Sequence, residues 1–398
     1  MLRLITLATL AVVGWACSDN NEDKEGDAGH AGDAGPKPPD QGPPVFTDGR
    51  VVDFGAPDIG ADIGTDAPPP MPRYVGSVFT DFAGDATLRF ALLENVGLFT
   101  PSVLSVHSDS YLRWTEGGFR VIQRFGSDSF RGVDPEVGTL SDPISTGANT
   151  NPQSIVVTED GTTFLSLYEA SADGHHLVWF DPGSATVSGG LNLETYTDDD
   201  GNRMPRAAAL ALCGPLYLAL QDLDGFTVTT SGKLLAIDPS TKTVTDSIGL
   251  LGDNPATTMA CNLAGDRLFI PHQGDYGAEG AGGGVEVVDT GVPETLGLEL
   301  NAVDLNGGVS AIALGESWGY ALSSTSFPSD IYHFDPLFPS DNFGLFVSAN
   351  GYAGEIHFAP GLGLLVPDGD RVRVFDELGE QIGETEAGPE GAVSVAAN

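Results

Sequence analysis

Basic residues are scarce. Lys and Arg number 17 against 56 Asp and Glu, a formal charge of -39 over 398 residues. Phosphate-backbone recognition needs clustered cations, so this balance excludes a nucleic-acid-binding protein. Cysteine is nearly missing, at three residues, which excludes a disulfide framework and a cysteine-rich zinc site. The one long apolar run near the start, Leu4 to Val13, is too short to span a bilayer. Charged residues make up only 18%, while Gly (53) and Pro (27) abound. That composition belongs to turns and short strands, not to long helices.

Three segments follow. Residues 1–17 read as an export signal, with Arg3 as the positive start, the apolar run after it, and Gly14-Trp15-Ala16-Cys17 at its end. This ending resembles a bacterial lipobox, in which small residues precede the cysteine that receives the lipid. Gly14 stands where that motif has Leu, and Trp15 where it favours a small residue. The resemblance implies a lipoprotein attached to the membrane through Cys17, and Ser18 after it implies outer-membrane sorting, on the periplasmic side or the surface. The alternative is a plain secretory signal in which Cys17 is incidental.

Residues 18–72 read as a tether. Gly and Pro supply 19 of these 55 positions, and Leu, Ile, Val and Phe only 7. Such a segment cannot bury enough apolar surface to offset its backbone entropy, and disorder is expected. As a coil it would reach roughly 40 Å, and fully stretched about 190 Å. Residues 73–398 form the single folded unit, carrying -31 of the charge.

That unit repeats itself. An apolar strand ending in Asp recurs as Phe130-Arg131-Gly132-Val133-Asp134, Leu177-Val178-Trp179-Phe180-Asp181 and Leu234-Leu235-Ala236-Ile237-Asp238. It returns before Asp289, Asp335 and Asp376, and a degenerate first copy places Leu93 at the Asp position. The seven positions lie 41 to 57 residues apart, with a mean near 47. Two apolar runs precede each marker and one follows it. Four short strands in such a unit make the blade of a β-propeller, so the expected fold class is all-β, a propeller of seven blades. The first unit lacks an innermost strand, and Gly391 to Ala396 lacks a partner. Donating that strand to the first blade closes the ring and removes two exposed edges.

The stretch Asp238-Pro239-Ser240-Thr241-Lys242-Thr243-Val244, with Asn151-Pro152-Gln153-Ser154-Ile155 and Arg124-Phe125-Gly126, is similar to the YVTN-type repeat propellers of bacterial surface proteins. The likeness runs through residues 73–398, although the string Tyr-Val-Thr-Asn itself is absent. It implies a cell-envelope protein and leaves the activity open.

Chemical motifs are thin. Gly315-Glu316-Ser317-Trp318-Gly319 matches the nucleophile-elbow pattern, which needs a strand, a turn and a helix. Here a strand, Tyr320 to Ser323, is expected next. Asp198-Asp199-Asp200-Gly201-Asn202 could gather oxygens for calcium but lacks the later bidentate Glu. His175 and His176 point to opposite faces of a strand and do not easily share one ion. No catalytic residues, metal or cofactor are therefore expected, and the protein is read as a non-enzymatic monomer. Cys213 and Cys261 fall at the ends of innermost strands in adjacent blades, either bonded in an oxidising compartment or as two buried thiols.

In a propeller, the turns from second to third strand and the crossings between blades share one face. That face carries the chemically varied residues, and the expected ligand-binding set is Arg124, Gln153, Tyr168, Arg206, Gln221 and His272. Arg203 and Asn254 fall beside it. Arginines grouped on an acidic body suggest a ligand bearing carboxylate or phosphate, unless they only pair with rim acids such as Glu169 and Asp222. The leading expectation is a tethered propeller binding a small ligand or an envelope protein, in its sharper form ligand capture for outer-membrane uptake. The alternatives are a lactonase- or dehydrogenase-like enzyme and a structural or adhesive protein.

Overall fold

The structure, a computed structural model, describes residues 74–398 apart from 82–83, 93–94, 198–203, 225–226, 276–280, 324–327 and 389. The signal-like segment with Cys17, the tether, the aspartate run 198–200, Arg203 and the Leu93 marker lie outside the described residues.

Each Asp marker ends or directly follows the third strand of an antiparallel sheet. Those strands are Ser129–Asp134, Leu177–Phe180, Thr227–Asp238, Gly284–Asp289, Asp330–Phe334 and Arg371–Phe375. The carboxylate explains the repetition. Asp134 Oδ1 accepts the N–H of Glu136 at 2.9 Å and of Val137 at 3.0 Å. Asp238 and Asp289 hold the two N–H groups at the same offsets, and Asp376 those of Leu378 and Glu380. A side chain that bonds its own downstream backbone turns the chain back into the fourth strand. The Pro after Asp134, Asp238 and Asp335 presets φ for that turn.

Six sheets have four strands, and in each the innermost strand stands at one end of the pairing order. The innermost strands are Ser110–Thr115, Pro152–Val157, Met204–Leu212, Ala260–Cys261, Val309–Leu314, His357–Ala359 and Gly391–Ala397. All seven contribute to the wall of one central channel, through Leu112, Ile155, Leu210, Ala260, Ile312, His357 and Val395 among others. The fold is a seven-bladed β-propeller.

Closure follows the expected scheme. Gly391–Ala397 pairs antiparallel with Tyr74–Thr80, setting Val75 opposite Ala397 and Thr80 opposite Gly391, with an irregularity at Val78 and Phe79. Ser77 Oγ donates to Ser394 O at 2.8 Å, and Asn398 Oδ1 accepts the Tyr74 N–H at 2.8 Å. The core lies between blades. Val78, Leu88 and Phe90 of the first blade pack with Leu112, Phe119 and Val121 of the second, and Tyr217 and Leu234 of the fourth with Leu268 and Ile270 of the fifth. Sheets covered on both faces have no solvent-facing side, so Leu216–Asp224 is buried from Leu216 through Leu223 without alternation.

The second blade departs from the scheme. Its third strand pairs with two outer pieces, Thr139–Leu140 and Ile144–Ser145, because Pro143 between them has no N–H to offer a ladder. Cys213, just after Met204–Leu212, is bonded to Cys261, with 5.9 Å between the Cα atoms. That bond stitches the innermost strands of the fourth and fifth blades. Ser317 lies in the hairpin between Val309–Leu314 and Gly319–Ser323, where the Gly315 N–H donates to Trp318 O at 2.7 Å. A strand follows it, so the nucleophile-elbow match has no structural counterpart.

Candidate functional site

The face carrying the second-to-third-strand turns and the crossings between blades holds a cavity of about 200 Å³. Its wall is made by Arg124, Gln153, Tyr168, Gln221, Asn254 and Gln273, with Thr257, Ala208 and Leu223. Four of the six residues singled out from the sequence thus meet around one space, contributed by the second, third and fourth blades.

Loop geometry fixes each side chain. Asp128 accepts the N–H of Asn149 at 2.7 Å and of Asn151 at 2.9 Å, which holds the crossing that delivers Gln153. Asn254 has φ of +54°, a left-handed turn that Asn tolerates through its short polar side chain. Its carbonyl accepts the Gln273 N–H at 2.9 Å, tying two wall residues together. Gln221 Nε2 donates to Pro255 O at 2.7 Å, and the amide orientation is set by that bond.

The arginines do not serve as free cations. Arg124 donates through Nε and Nη2 to Asp109 Oδ1 at 3.0 and 2.6 Å and through Nη1 to Gln153 Oε1 at 2.8 Å. Its guanidinium also stacks 4.3 Å from the centre of the Tyr111 ring. Arg206 is ion-paired with Glu169, bonds Tyr168 O at 3.2 Å and lies over the Tyr168 ring; it does not reach the cavity wall. Pairing with acids therefore accounts for both arginines, Arg124 with Asp109 and Arg206 with the rim acid Glu169.

His272 is corrected more sharply. It has no exposed surface and its Nε2 lies 3.1 Å from Glu286 Oε2, itself fully buried. Glu286 Oε2 also accepts the N–H groups of Leu251 and Gly252 at 2.9 and 3.1 Å. Burial raises the Glu286 pKa, but the His272 hydrogen bond and charge outweigh it and leave the carboxyl below its ordinary value. A Cβ on Gly252 would stand 2.4 Å from the imidazole, so this packing requires glycine there. The sequence signal was present: Glu286 sits in Val285-Glu286-Val287-Val288, an acid inside an otherwise apolar third strand.

Sequence reasoning also passed over the channel itself. Arg113 and Glu355 form an ion pair on the wall of a second cavity of about 350 Å³, which shares Thr257 with the rim cavity. Burial, then the Arg113 charge, lowers the His357 pKa to about 4, so the imidazole is neutral at neutral pH.

No family model matches the chain, and no curated protein matches it. Solved structures do. One is a "putative 6-phosphogluconolactonase" from Bacteroides fragilis, with 16% identity and a TM-score of 0.57 over 83% of this chain and 98% of that one. Its namesake from Bacteroides uniformis has 15% identity and a TM-score of 0.58, over 82% and 99%. Hydrazine synthase of Kuenenia stuttgartiensis has 14% identity and a TM-score of 0.51, over 80% and 97%. What they share with this chain is the fold.

They correct one expectation, that of a non-enzymatic protein. Propellers matching along nearly their whole length bear enzyme names, so this architecture does not separate the chain from catalysts. The physical reason is that a propeller collects its site from loops of several blades. A catalytic set on such a fold leaves no contiguous motif in the sequence.

Proposed function

We propose that this protein binds a small, uncharged, hydroxyl-rich molecule in the rim cavity. One observation carries the reading: Gln221 is 7% exposed, its Nε2 is committed to Pro255, and its Oε1 is buried with no hydrogen-bond partner among the described residues. A buried acceptor of this kind asks for a donor, and a ligand hydroxyl supplies one. The side-chain amides of Gln153, Asn254 and Gln273 stand around it, the first held by Arg124 and by its own Nε2 donating to Asn151 O at 3.0 Å. Neutralisation of Arg124 by Asp109 supports an uncharged ligand over a phosphorylated one. Titration calorimetry with neutral aldoses and glucono-δ-lactone tests this. Saturable binding that Gln221→Leu weakens at least tenfold supports the reading, and tighter binding of the corresponding sugar acids defeats it.

Hydrolysis of such a ligand is the second reading, favoured by the names of the two Bacteroides structures. Continuous acid release from glucono-δ-lactone, above the uncatalysed rate, would support it.

The location belongs to the same proposal. The lipobox-like ending at Cys17, the Gly/Pro-rich residues 18–72 and the likeness to YVTN-type propellers support a monomeric cell-envelope lipoprotein, sorted to the outer membrane and holding residues 73–398 clear of the lipid. Fatty-acid labelling should mark the wild type and not Cys17→Ser. Persistent labelling of the variant would defeat the anchor.

A further inference from the structure

The channel cavity carries a polar pair that the rim reading does not use. Arg113 comes from the innermost strand of the second blade, and Glu355 precedes that of the seventh. Ser394, on the closing strand of the first blade between them, donates to Glu355 Oε2 at 2.8 Å and accepts the Leu112 N–H at 3.0 Å. The contacts fall on one side of each group. Glu355 Oε2 takes both Arg113 Nη1 and Ser394 Oγ, and Nη1 also donates to Leu112 O at 3.2 Å. Glu355 Oε1 and Arg113 Nη2 are buried and have no hydrogen-bond partner among the described residues, and Glu355 is only 3% exposed.

Buried orphan atoms are rare because each costs its desolvation without return. Here one donor and one acceptor stand on neighbouring groups, beside an apolar wall that includes Trp114, Ile155, Met259 and Phe358. The pair is already neutral as a unit. A charged guest would set an uncompensated charge beside this neutral pair and give up part of its hydration to do so.

We infer that this cavity is a second binding site, for an uncharged molecule with a carboxamide-like donor and acceptor on an apolar frame. The guest's carbonyl accepts from Arg113 Nη2, its N–H or O–H donates to Glu355 Oε1, and its hydrocarbon part lies against the apolar wall. Apart from the shared Thr257, the site differs from the rim cavity in residues and in ligand chemistry, so either can fail without the other.

Cyclohexanecarboxamide is the probe, added to the ¹⁵N-labelled full chain while the indole N–H resonances are followed. A saturable shift of Trp114, with Trp179 and Trp318 unmoved, is the expected result. Cyclohexanecarboxylate at pH 8 should bind at least tenfold more weakly. Glu355→Gln leaves Arg113 uncompensated and should reverse that preference, whereas Gln221→Leu should leave it untouched. No saturable Trp114 shift, equal binding of amide and acid by the wild type, or an unreversed preference in folded Glu355→Gln overturns the inference. Should Glu355→Gln fail to fold, the wild-type titration decides alone.

Discussion

Breaking the Cys213–Cys261 bond tests how far the fourth and fifth blades depend on a covalent stitch. The two residues are 48 apart in sequence and join innermost strands, where the blades lie nearest the channel. A closed loop of this length restricts the unfolded chain by about 4 kcal/mol on the chain-entropy model. Unfolding entropy for a domain of about 325 residues is roughly 0.7 kcal/mol per kelvin, so the midpoint should fall by about 6 °C. The assay is thermal unfolding of wild type and of Cys261→Ala, each with and without reductant. Reductant should lower the wild-type midpoint to near that of the variant and leave the variant unmoved. A wild-type midpoint indifferent to reductant, with thiol titration showing that reduction was complete, would refute the reasoning. So would recovery of free thiols at both Cys213 and Cys261 from unreduced, denatured protein.

His272→Ala should destabilise the fold by roughly 3–5 kcal/mol, because it takes the imidazole from the buried Glu286 and leaves the carboxyl only the Leu251 and Gly252 N–H groups; chemical denaturation measures it, and an unchanged midpoint would contradict the buried-pair assignment. Gly252→Ala should cost about 1–3 kcal/mol by forcing a methyl against the His272 ring, which the same assay reads. The folded-state pKa of His357 is lowered to about 4, so the unfolded chain takes up its proton first as pH falls. This contribution to stability is whole above about pH 6.5 and is lost progressively down to about pH 4, amounting to roughly 3 kcal/mol at most. His357→Gln should flatten the stability profile in that window, and an identical slope in the variant would count against it. Ser394→Ala removes partners from the Leu112 N–H and from Glu355, and should cost about 1–3 kcal/mol in equilibrium unfolding.

The architecture was legible because its determinants are local and repeated. Asp134, Asp238, Asp289, Asp335 and Asp376 each sit two residues before an N–H group that they bond, so the device shows in the sequence as a fixed string. The closing strand was legible from arithmetic, as one strand too few at the first blade and one too many near Ala396. The split outer strand of the second blade was not anticipated, although Pro143 marks the break. The candidate site was only half legible. Topology alone brings Arg124, Gln153, Tyr168 and Gln221 to one face, since each stands at a turn or crossing of known handedness. Whether such a residue is free or spent depends on contacts between blades. Arg124 is spent on Asp109, Arg206 on Glu169, and His272 on Glu286 across a hairpin. Arg113 and Glu355 lie 242 residues apart, a separation at which no spacing rule operates.

The ring closure sets a schedule for the whole chain. Ser77 and Ser394 meet across 317 residues, so the first blade is a three-stranded sheet with an unpaired edge until Gly391–Ala397 has been made. At the usual 5–20 residues per second of synthesis, that edge stays open for roughly 15 to 60 seconds. During the interval Tyr74–Thr80, buried along its entire length in the finished ring, offers unpaired backbone to any passing strand. The edge has to stay unpaired through that whole interval, since the ring cannot be sealed by instalments. Damage to seven residues near Ala396 would therefore endanger blades that lie nowhere near them in sequence.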